Sequence, residues 1–438
     1  MPLIIVALGV LFLLVLIVFF KLNAFLALII TSLALGIAEG MPITEVVGSI
    51  QTGIGSTLGF LSLILGFGAM LGKLVADSGG AQRIAERLIR SFGKKNIQWA
   101  TMLTGFVVGI PMFYSVGFVV LVPLVFTVAM ATRLPLIYVG LPMLASLSVA
   151  HGYLPPHPGP TAIALIYNAD LGITLLYGFV IAVPAILLGG LLFSKTLTNI
   201  RPNPPESMFG IPVLSEEEMP GFGISIFTGL LPVFLIALAA IMGMVLPEGS
   251  WLLATFSLIG DPVIALLLSV LVAIYTLGIK RNKGMREIME SIEKSVGGIA
   301  MILLIIGGAG AFKEVLVDSG VGDYISELMK DIAISPLILV WGIAAIIRVS
   351  LGSATVAGLT TAGIALPIIG TSDVSPELMV LATGAGSLMF SHVNDGGFWM
   401  FKEYFGLSIR DTMRSWSIME TIVSVVGLIG VLVLDVFI

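Results

Sequence analysis

The chain has 438 residues, of which 58% are hydrophobic and 11% charged, and its mean hydropathy is +1.12. A soluble domain carries about 25% charged residues, so the composition excludes a soluble protein and indicates a polytopic α-helical membrane protein. The absence of cysteine excludes disulfide frameworks, thiol nucleophiles and metal–thiolate centres. A net charge of −5 without a basic stripe argues against nucleic acid as a partner.

Apolar runs near the ~20 residues that cross a lipid bilayer divide the first half of the chain into helices. The sequence predicts three helices, an amphipathic surface helix, a re-entrant hairpin, a broken span and a last helix, at about 2–20, 23–39, 50–76, 77–95, 97–131, 134–170 and 172–194. A proline-rich linker over 195–221, which contains Glu216-Glu217-Glu218, is predicted to be a solvated connector.

The second half repeats the first at an offset of 241 residues, since Asp77-Ser78-Gly79 matches Asp318-Ser319-Gly320 and His151 matches His392. The same series of elements is therefore predicted again, at about 222–246, 262–279, 295–312, 313–332, 335–370, 375–408 and 415–438. The predicted fold is an all-α polytopic membrane protein with two repeats, 1–194 and 222–438. Each repeat has about five transmembrane helices plus a re-entrant hairpin and a broken helix.

Equivalent loops of the two repeats carry opposite charge. The stretch 73–95 has six basic residues against two acidic ones, whereas 313–331 has two basic residues against five acidic ones. Because positively charged loops stay on the cytoplasmic side, equivalent loops of opposite sign indicate repeats of inverted topology. That plan is typical of secondary transporters.

The first broken span stops at His151-Gly152-Tyr153-Leu154-Pro155-Pro156-His157-Pro158-Gly159-Pro160, where prolines interrupt helical hydrogen bonding. One interpretation is an ordinary turn at the membrane surface. The recurrence of a histidine-bearing break in both repeats favours a functional interpretation, because polar breaks at depth persist only where they line a cavity or are buried in protein. His151, Gly152 and His157 are therefore candidate substrate ligands.

The tips of the two hairpins supply further polar interruptions. The first tip carries Tyr114, Ser115 and Gly117, and the second carries Gly352, Ser353, Ala354 and Thr355. The N-terminus of the half-helix that follows such a tip presents free backbone N–H groups and a partial positive charge, which favour an anion. The same hydroxyl residues could serve as helix N-caps, and both roles are expected together.

Two opposite charges lie near the second tip and the second break. Arg348 is a cation within the hairpin, so it should pair with a carboxylate such as Asp395 or contact the substrate. Asp395 follows His392 and Asn394, and it either carries a proton or caps the next half-helix. His392, Asp395 and His151 are the proton-coupling candidates, because imidazole titrates near neutral pH, and Asn394 is a further substrate ligand.

No metal or cofactor site is predicted. The three histidines are spread over both repeats, and no Walker or Gly-x-Ser-x-Gly pattern occurs.

Four segments closely resemble the bacterial gluconate:proton symporter (gluconate permease) family: Gly79-Gly80-Ala81-Gln82-Arg83-Ile84-Ala85, the proline–histidine motif from His151 to Thr161, Gly352-Ser353-Ala354-Thr355-Val356 and Ser391-His392-Val393-Asn394-Asp395. The likeness covers essentially the whole chain. It implies an inner-membrane symporter that imports gluconate or a related sugar acid with a proton. It also implies membership of the ion transporter superfamily, whose members often form homodimers and in many cases are thought to work by an elevator movement.

Three alternatives stay open at this point. Backbone carbonyls near Gly352 and Gly396 could bind Na⁺ in place of proton coupling. The substrate could be another small hydroxy or keto acid, or D-serine. An intramembrane enzyme using His151 and His157 is an interpretation from another functional class.

Overall fold

A computed structural model describes residue 5 and residues 8–9, 11–13, 15–204, 214–320, 335–369, 374–393 and 395–438. Within these ranges the ordered elements are all helices, which confirms the predicted all-α fold. The α-helices are α1 (Ala24–Ala38), α2 (Ile43–Asp77), α3 (Gly80–Phe92), α4 (Ile97–Gly109), α5 (Tyr114–Thr132), α6 (Leu136–Tyr153), α7 (Pro158–Ile166), α8 (Leu171–Ile186), α9 (Phe222–Val245), α10 (Trp251–Gly260), α11 (Pro262–Ala273), α12 (Met285–Asp318), α13 (Pro336–Leu351), α14 (Ala354–Ile369), α15 (Pro376–Gly386), α16 (Gly396–Phe405), α17 (Ile409–Thr412) and α18 (Ile418–Asp435). Short π-helical or 3₁₀ segments lie at Val15–Phe19, Lys94–Asn96, Leu187–Leu192, Lys195–Leu197, Ile274–Gly278, Ile279–Arg281 and Met413–Ser417.

Seven helical stretches in the described part of the chain are long and apolar enough to cross a membrane, or eight if the bent helix α2 counts as one span. The protein is therefore a multi-pass membrane protein. The stretch Leu136–Ile166 lies at its centre, since 83% of its most apolar window is buried against 33–50% for the other six. The ten crossings expected from the sequence stay a prediction.

Helices α2 and α12 are longer than the predicted spans 50–76 and 295–312. Each begins before the apolar run, with an acidic residue in its first turn. With 35 and 34 residues they extend roughly 50 Å, more than the ~30 Å hydrocarbon core requires. They pack against each other so closely that a Cβ atom on Gly53 would lie 2.3 Å from the carbonyl oxygen of Gly310. Glycine is required at this crossing.

Two matched hydrogen bonds join the ends of these long helices. The Ser49 hydroxyl donates to Asp318 at 2.5 Å, and the Ser291 hydroxyl donates to Asp77 at 2.6 Å. Each bond connects the beginning of one helix to the end of the other, so α2 and α12 run antiparallel. The donors are 242 residues apart and the acceptors 241 apart, so the offset found in the sequence recurs in these contacts.

Pairs of helices separated by a short break lie over the ranges predicted for the hairpins and the broken spans, and the re-entrant path of the hairpins stays a prediction. Helices α4 and α5 form the first hairpin, and α13 and α14 form the second. The first broken span comprises α6 and α7, and the second comprises α15 and α16. In each pair the described residues between the two helices include buried ones, such as Met112, Leu154, Gly352 and Ser391.

Three predicted elements differ from the observed ones. The surface helix expected over 77–95 is shorter, at Gly80–Phe92, and begins after Gly79 in the left-handed conformation (φ 76°). Helix α10 is not predicted at all; Ser250 caps it by accepting from the Leu252 N–H at 3.2 Å. The predicted surface helix 313–332 is wrong in its first part, since 313–318 continue α12, and 321–332 lie outside the described residues.

The linker contacts helix α3 and is not simply a solvated connector. The Arg83 Nε donates to the Pro220 carbonyl at 2.9 Å, and the Gln82 Nε2 donates to the Leu214 carbonyl at 2.9 Å. From the second half of the chain, Arg281 donates to the Glu217 carbonyl at 2.5 Å. Hydrogen bonds from the Ser215 N–H and hydroxyl hold the pKa of Glu218 below its usual range.

Candidate functional site

A cavity of about 360 Å³ lies where both hairpin tips, the two broken spans and the last helix meet. Its size falls within the ~300–1,000 Å³ of typical small-molecule sites. The lining side chains are mostly polar or small: Tyr114, Ser148, His151, Arg348, Leu351, Gly352, Ser353, Ala354, Thr355, Leu388, Asp395, Gly396, Gly397, Trp416 and Glu420.

The second hairpin tip contributes a helix N-terminus to this cavity. Helix α13 ends at Gly352 in the left-handed conformation (φ 76°), which lets the chain turn directly into α14. The Ser353 hydroxyl accepts from the Val356 N–H at 3.4 Å, so it caps α14. Because Ser353, Ala354 and Thr355 all line the cavity, the positive end of the α14 dipole lies beside it.

An ion pair connects this hairpin to the second broken span. The Arg348 Nη2 lies 2.6 Å from the Asp395 Oδ2, and the two side chains are 4% and 17% exposed. Asp395 also accepts from the Gly397 N–H at 3.0 Å and from the Ser391 hydroxyl, and it caps α16. Both roles considered from the sequence, ion pairing and capping, are thus combined in Asp395.

Arg348 uses one nitrogen for this ion pair and keeps two without a partner. Its Nε and Nη1 are buried and make no hydrogen bond to any described residue. A buried guanidinium nitrogen without a partner is costly. Arg348 therefore brings two buried donors without a described partner to the wall of the cavity.

The first broken span contributes His151 at the end of α6. Its Nδ1 is buried and has no partner among the described residues, and its ring lies 6.5 Å from the Tyr114 ring and 5.2 Å from the His157 ring. His157 does not line the cavity; it lies behind His151 against Ile110 and Pro111. This arrangement does not bring His157 to a ligand in the cavity.

Three other predicted site residues do not line this cavity. Gly152 serves close packing, since a Cβ atom there would lie 2.6 Å from the Leu388 Cδ1, and a Cβ atom on Gly117 would likewise lie 2.8 Å from the Leu147 Cδ2. The His392 ring is outside the cavity lining and its Nε2 lies 2.9 Å from the Val349 carbonyl. Asn394 lies outside the described residues.

Ser115 lines a second cavity, of about 190 Å³, together with Lys73, Lys294 and Ser295. Ser115 therefore does not line the cavity that contains His151. Tyr114 and Ser115 are the first two residues of α5, and consecutive residues of an α-helix point about 100° apart. One hairpin tip thus lines two cavities, with Tyr114 in the central one and Ser115 in the other.

Sequence reasoning missed Glu420, Ser148 and Trp416. The Glu420 side chain is 2% exposed, its Oε1 has no partner among the described residues, and Ser148 is its hydrogen-bonding neighbour. Trp416 stacks on Phe401 and donates to the Ser391 hydroxyl at 2.7 Å, which fixes one wall of the cavity. The signal for Glu420 was available, because it is the one charged residue between Arg414 and Asp435.

The cavity presents donors and acceptors in one small volume. Five buried polar atoms of its lining residues have no partner among the described residues: the Tyr114 Oη, His151 Nδ1, Arg348 Nε, Arg348 Nη1 and Glu420 Oε1. The Arg348 guanidinium and the helix N-terminus suit a carboxylate of a ligand. The phenol, the imidazole and the carboxyl group suit its hydroxyl groups. Such a set fits a small hydroxylated acid.

Comparison with known proteins identifies the family of the chain. The model of the GntP family permease matches residues 1–437. The chain is 56% identical to a high-affinity gluconate transporter and 55% identical to a Gnt-II system L-idonate transporter, both from Escherichia coli (strain K12), each over 435 residues and 99% of both proteins. The fold is similar to that of the YdaH transporter of Alcanivorax borkumensis, with a TM-score of 0.58, 18% identity and coverage of 88% of this chain and 87% of that one. The chain therefore belongs to the GntP family of permeases and is a membrane transporter rather than an enzyme.

Proposed function

We propose that this permease imports gluconate or a closely related sugar acid by proton symport across the bacterial inner membrane. The observation that carries the proposal is Arg348, a buried guanidinium with two nitrogens free of described partners in a cavity lined by hydroxyl, imidazole and carboxyl groups. The names of the relatives support the same substrate class.

The substrate carboxylate binds at Arg348 and the N-terminus of α14. Arg348 Nε and Nη1 supply charged donors, and the free backbone N–H groups of the first turn supply neutral ones. The hydroxylated chain then extends toward Tyr114, His151 and Glu420. A ligand without hydroxyl groups would leave these three buried polar groups unsatisfied, which gives the site its selectivity.

The two halves, 1–194 and 222–438, are proposed to be inverted repeats joined by the linker. The antiparallel pair α2 and α12 supports this, because its end-to-end hydrogen bonds, Ser49 to Asp318 and Ser291 to Asp77, correspond under the repeat offset. A pseudo-two-fold axis of this kind brings the two hairpin tips to one region of the membrane.

The test is uptake of labelled gluconate by the purified protein in liposomes. An inward proton gradient without sodium should drive accumulation, and dissipating the gradient should abolish it. Accumulation that requires a sodium gradient instead would replace proton coupling with sodium coupling. Failure of gluconate and idonate to bind or compete would remove the sugar-acid assignment.

A further inference from the structure

We infer that Glu420 binds the transported proton. This inference rests on the proposed proton symport and assigns it to a residue that differs from the three candidates named from the sequence. Glu420 lies in α18 on the wall of the central cavity, where substrate and proton would share one water-poor space.

Glu420 lacks the cation partner that a buried carboxylate needs, and Ser148 is its one hydrogen-bonding neighbour among the described side chains. Glu420 is 2% exposed, no Lys or Arg among the described residues forms an ion pair with it, and its Oε1 makes no hydrogen bond to them. An isolated buried charge is costly, and acids within spanning helices mark proton pathways. A protonated Glu420 removes this cost and can donate to a substrate hydroxyl.

The three earlier candidates are less suited to the task. Asp395 is held by Arg348, by the Gly397 N–H and by the Ser391 hydroxyl, so all of its described contacts are those of a carboxylate that fixes the helix break. His392 does not line the cavity, and its Nε2 is occupied by the Val349 carbonyl. His151 lines the cavity and suits a substrate hydroxyl through its free Nδ1.

Charge balance couples the proton to the substrate. The described cavity lining holds one guanidinium, Arg348, against two carboxylates, Asp395 and Glu420. Bringing in a substrate carboxylate would set three negative charges against one positive charge in a site of low dielectric. Protonation of Glu420 restores the balance of the empty site, so each ligand favours binding of the other by thermodynamic linkage.

The titratable and charged groups around Glu420 are few. Arg348 faces it from α13, Asp395 from the second break, and Tyr114 from α5. His151 lines the same cavity from the end of α6. The hydroxyl of the neighbouring Tyr153 already donates a hydrogen bond to the Val423 carbonyl at 2.6 Å. Glu420 is thus the acid in this group without a cation of its own.

The experiment compares the wild type, Glu420→Gln and the control Glu403→Gln in liposomes. Glu403 is an acid on α16 with its side chain 64% exposed and paired with Lys402, and it does not line the cavity. Glu420→Gln should lose accumulation driven by the proton gradient yet keep gluconate counterflow at equal pH, whereas Glu403→Gln should resemble the wild type. The gluconate affinity of the wild type should fall about tenfold per pH unit once the proton is lost, and this slope should vanish in Glu420→Gln.

Each outcome separates the two proposals. A wild type that shows no proton-driven accumulation overturns the proposed symport itself. Proton-driven accumulation by Glu420→Gln overturns the role of Glu420 while the symport stands. Loss of proton-driven accumulation and counterflow together in a folded Glu420→Gln protein also overturns it, because the residue then serves substrate binding.

A second measurement does not depend on the folding of Glu420→Gln. Infrared difference spectra of the wild type and Glu420→Asp, with and without gluconate, report a protonated carboxyl group directly. A gluconate-dependent carboxylic acid band that moves in Glu420→Asp supports the inference. If the band is unchanged in Glu420→Asp, the proton lies on another residue and the inference is overturned.

Discussion

Arg348 and Asp395 form a buried ion pair with 2.6 Å between the Nη2 and Oδ2 atoms, and this pair joins the second hairpin to the second helix break. The hairpin tip carries the α14 N-terminus, and the break carries the cap of α16. The ion pair therefore positions the polar groups of the cavity as well as offering Arg348 to a ligand.

Replacement of Arg348 by lysine should separate these two roles. Lysine keeps a positive charge for Asp395 but lacks the planar set of donors. Hydrogen bonds to charged groups contribute about 1.5–3 kcal/mol, so gluconate affinity should fall roughly 10- to 100-fold while the fold is retained. Calorimetric titration measures this effect, and Arg410→Lys, an exposed change outside the cavity, is the control. Unchanged affinity of Arg348→Lys would make Arg348 purely structural.

The crossing of α2 and α12 gives a stability prediction with a control in the same helix. A Cβ atom on Gly53 would lie 2.3 Å from the Gly310 carbonyl oxygen, whereas one on Gly55 meets nothing within 4 Å. Both Gly→Ala changes gain the same helix propensity, but only Gly53→Ala forces the helices apart. Overpacking costs about 1–3 kcal/mol, so the unfolding free energy of Gly53→Ala in detergent should be lower than that of Gly55→Ala by this amount. Equal stability would show that the crossing can relax.

The sequence predicts the helices well wherever an apolar run ends at a polar or proline-containing stretch. Helix α1, expected at 23–39, spans 24–38, and the second hairpin, expected over 335–370, comprises 336–351 and 354–369. Hydropathy reports only the part of a helix within the bilayer, so it misses the extensions of α2 and α12 that begin near Glu45 and Glu287. Helix α10 has only ten residues, too few for a spanning pattern.

The candidate site is predictable to the level of segments but not of side chains. Prolines, glycines and charges identify the hairpin tips and breaks, and they led to Arg348 and Asp395. The side of a helix that faces a cavity depends on its neighbours, so sequence could not separate Tyr114 from Ser115 or assign Gly152 to packing against Leu388. Glu420 lies in a continuous apolar helix, so the pattern of the breaks does not identify it, although an acid in an apolar helix is itself a signal.

The proposed inverted topology predicts the side from which single cysteines react. Lys94→Cys and Asn282→Cys should label from the cytoplasm, and Glu45→Cys and Glu248→Cys from the opposite side, because these exposed positions follow the charge distribution of the loops. The chain has no native cysteine, so background labelling is absent. Reaction of Lys94→Cys and Glu45→Cys from one side would contradict a crossing by α2 and, with it, the inverted repeat.

The two hairpin tips should respond differently to substrate. Thr355 lines the central cavity with Arg348, whereas Ser115 lines the second cavity with Lys73 and Lys294. Gluconate should therefore slow the reaction of Thr355→Cys with a small maleimide and leave that of Ser115→Cys unchanged. The labelling rate of each variant with and without gluconate is the measurement, and L-idonate should act as gluconate does if both sugar acids share the site. Equal protection of both cysteines would mean that the substrate also occupies the second cavity or that its binding moves the first tip. The assignment of Tyr114 and Ser115 to different cavities would then not describe the transporter with substrate bound.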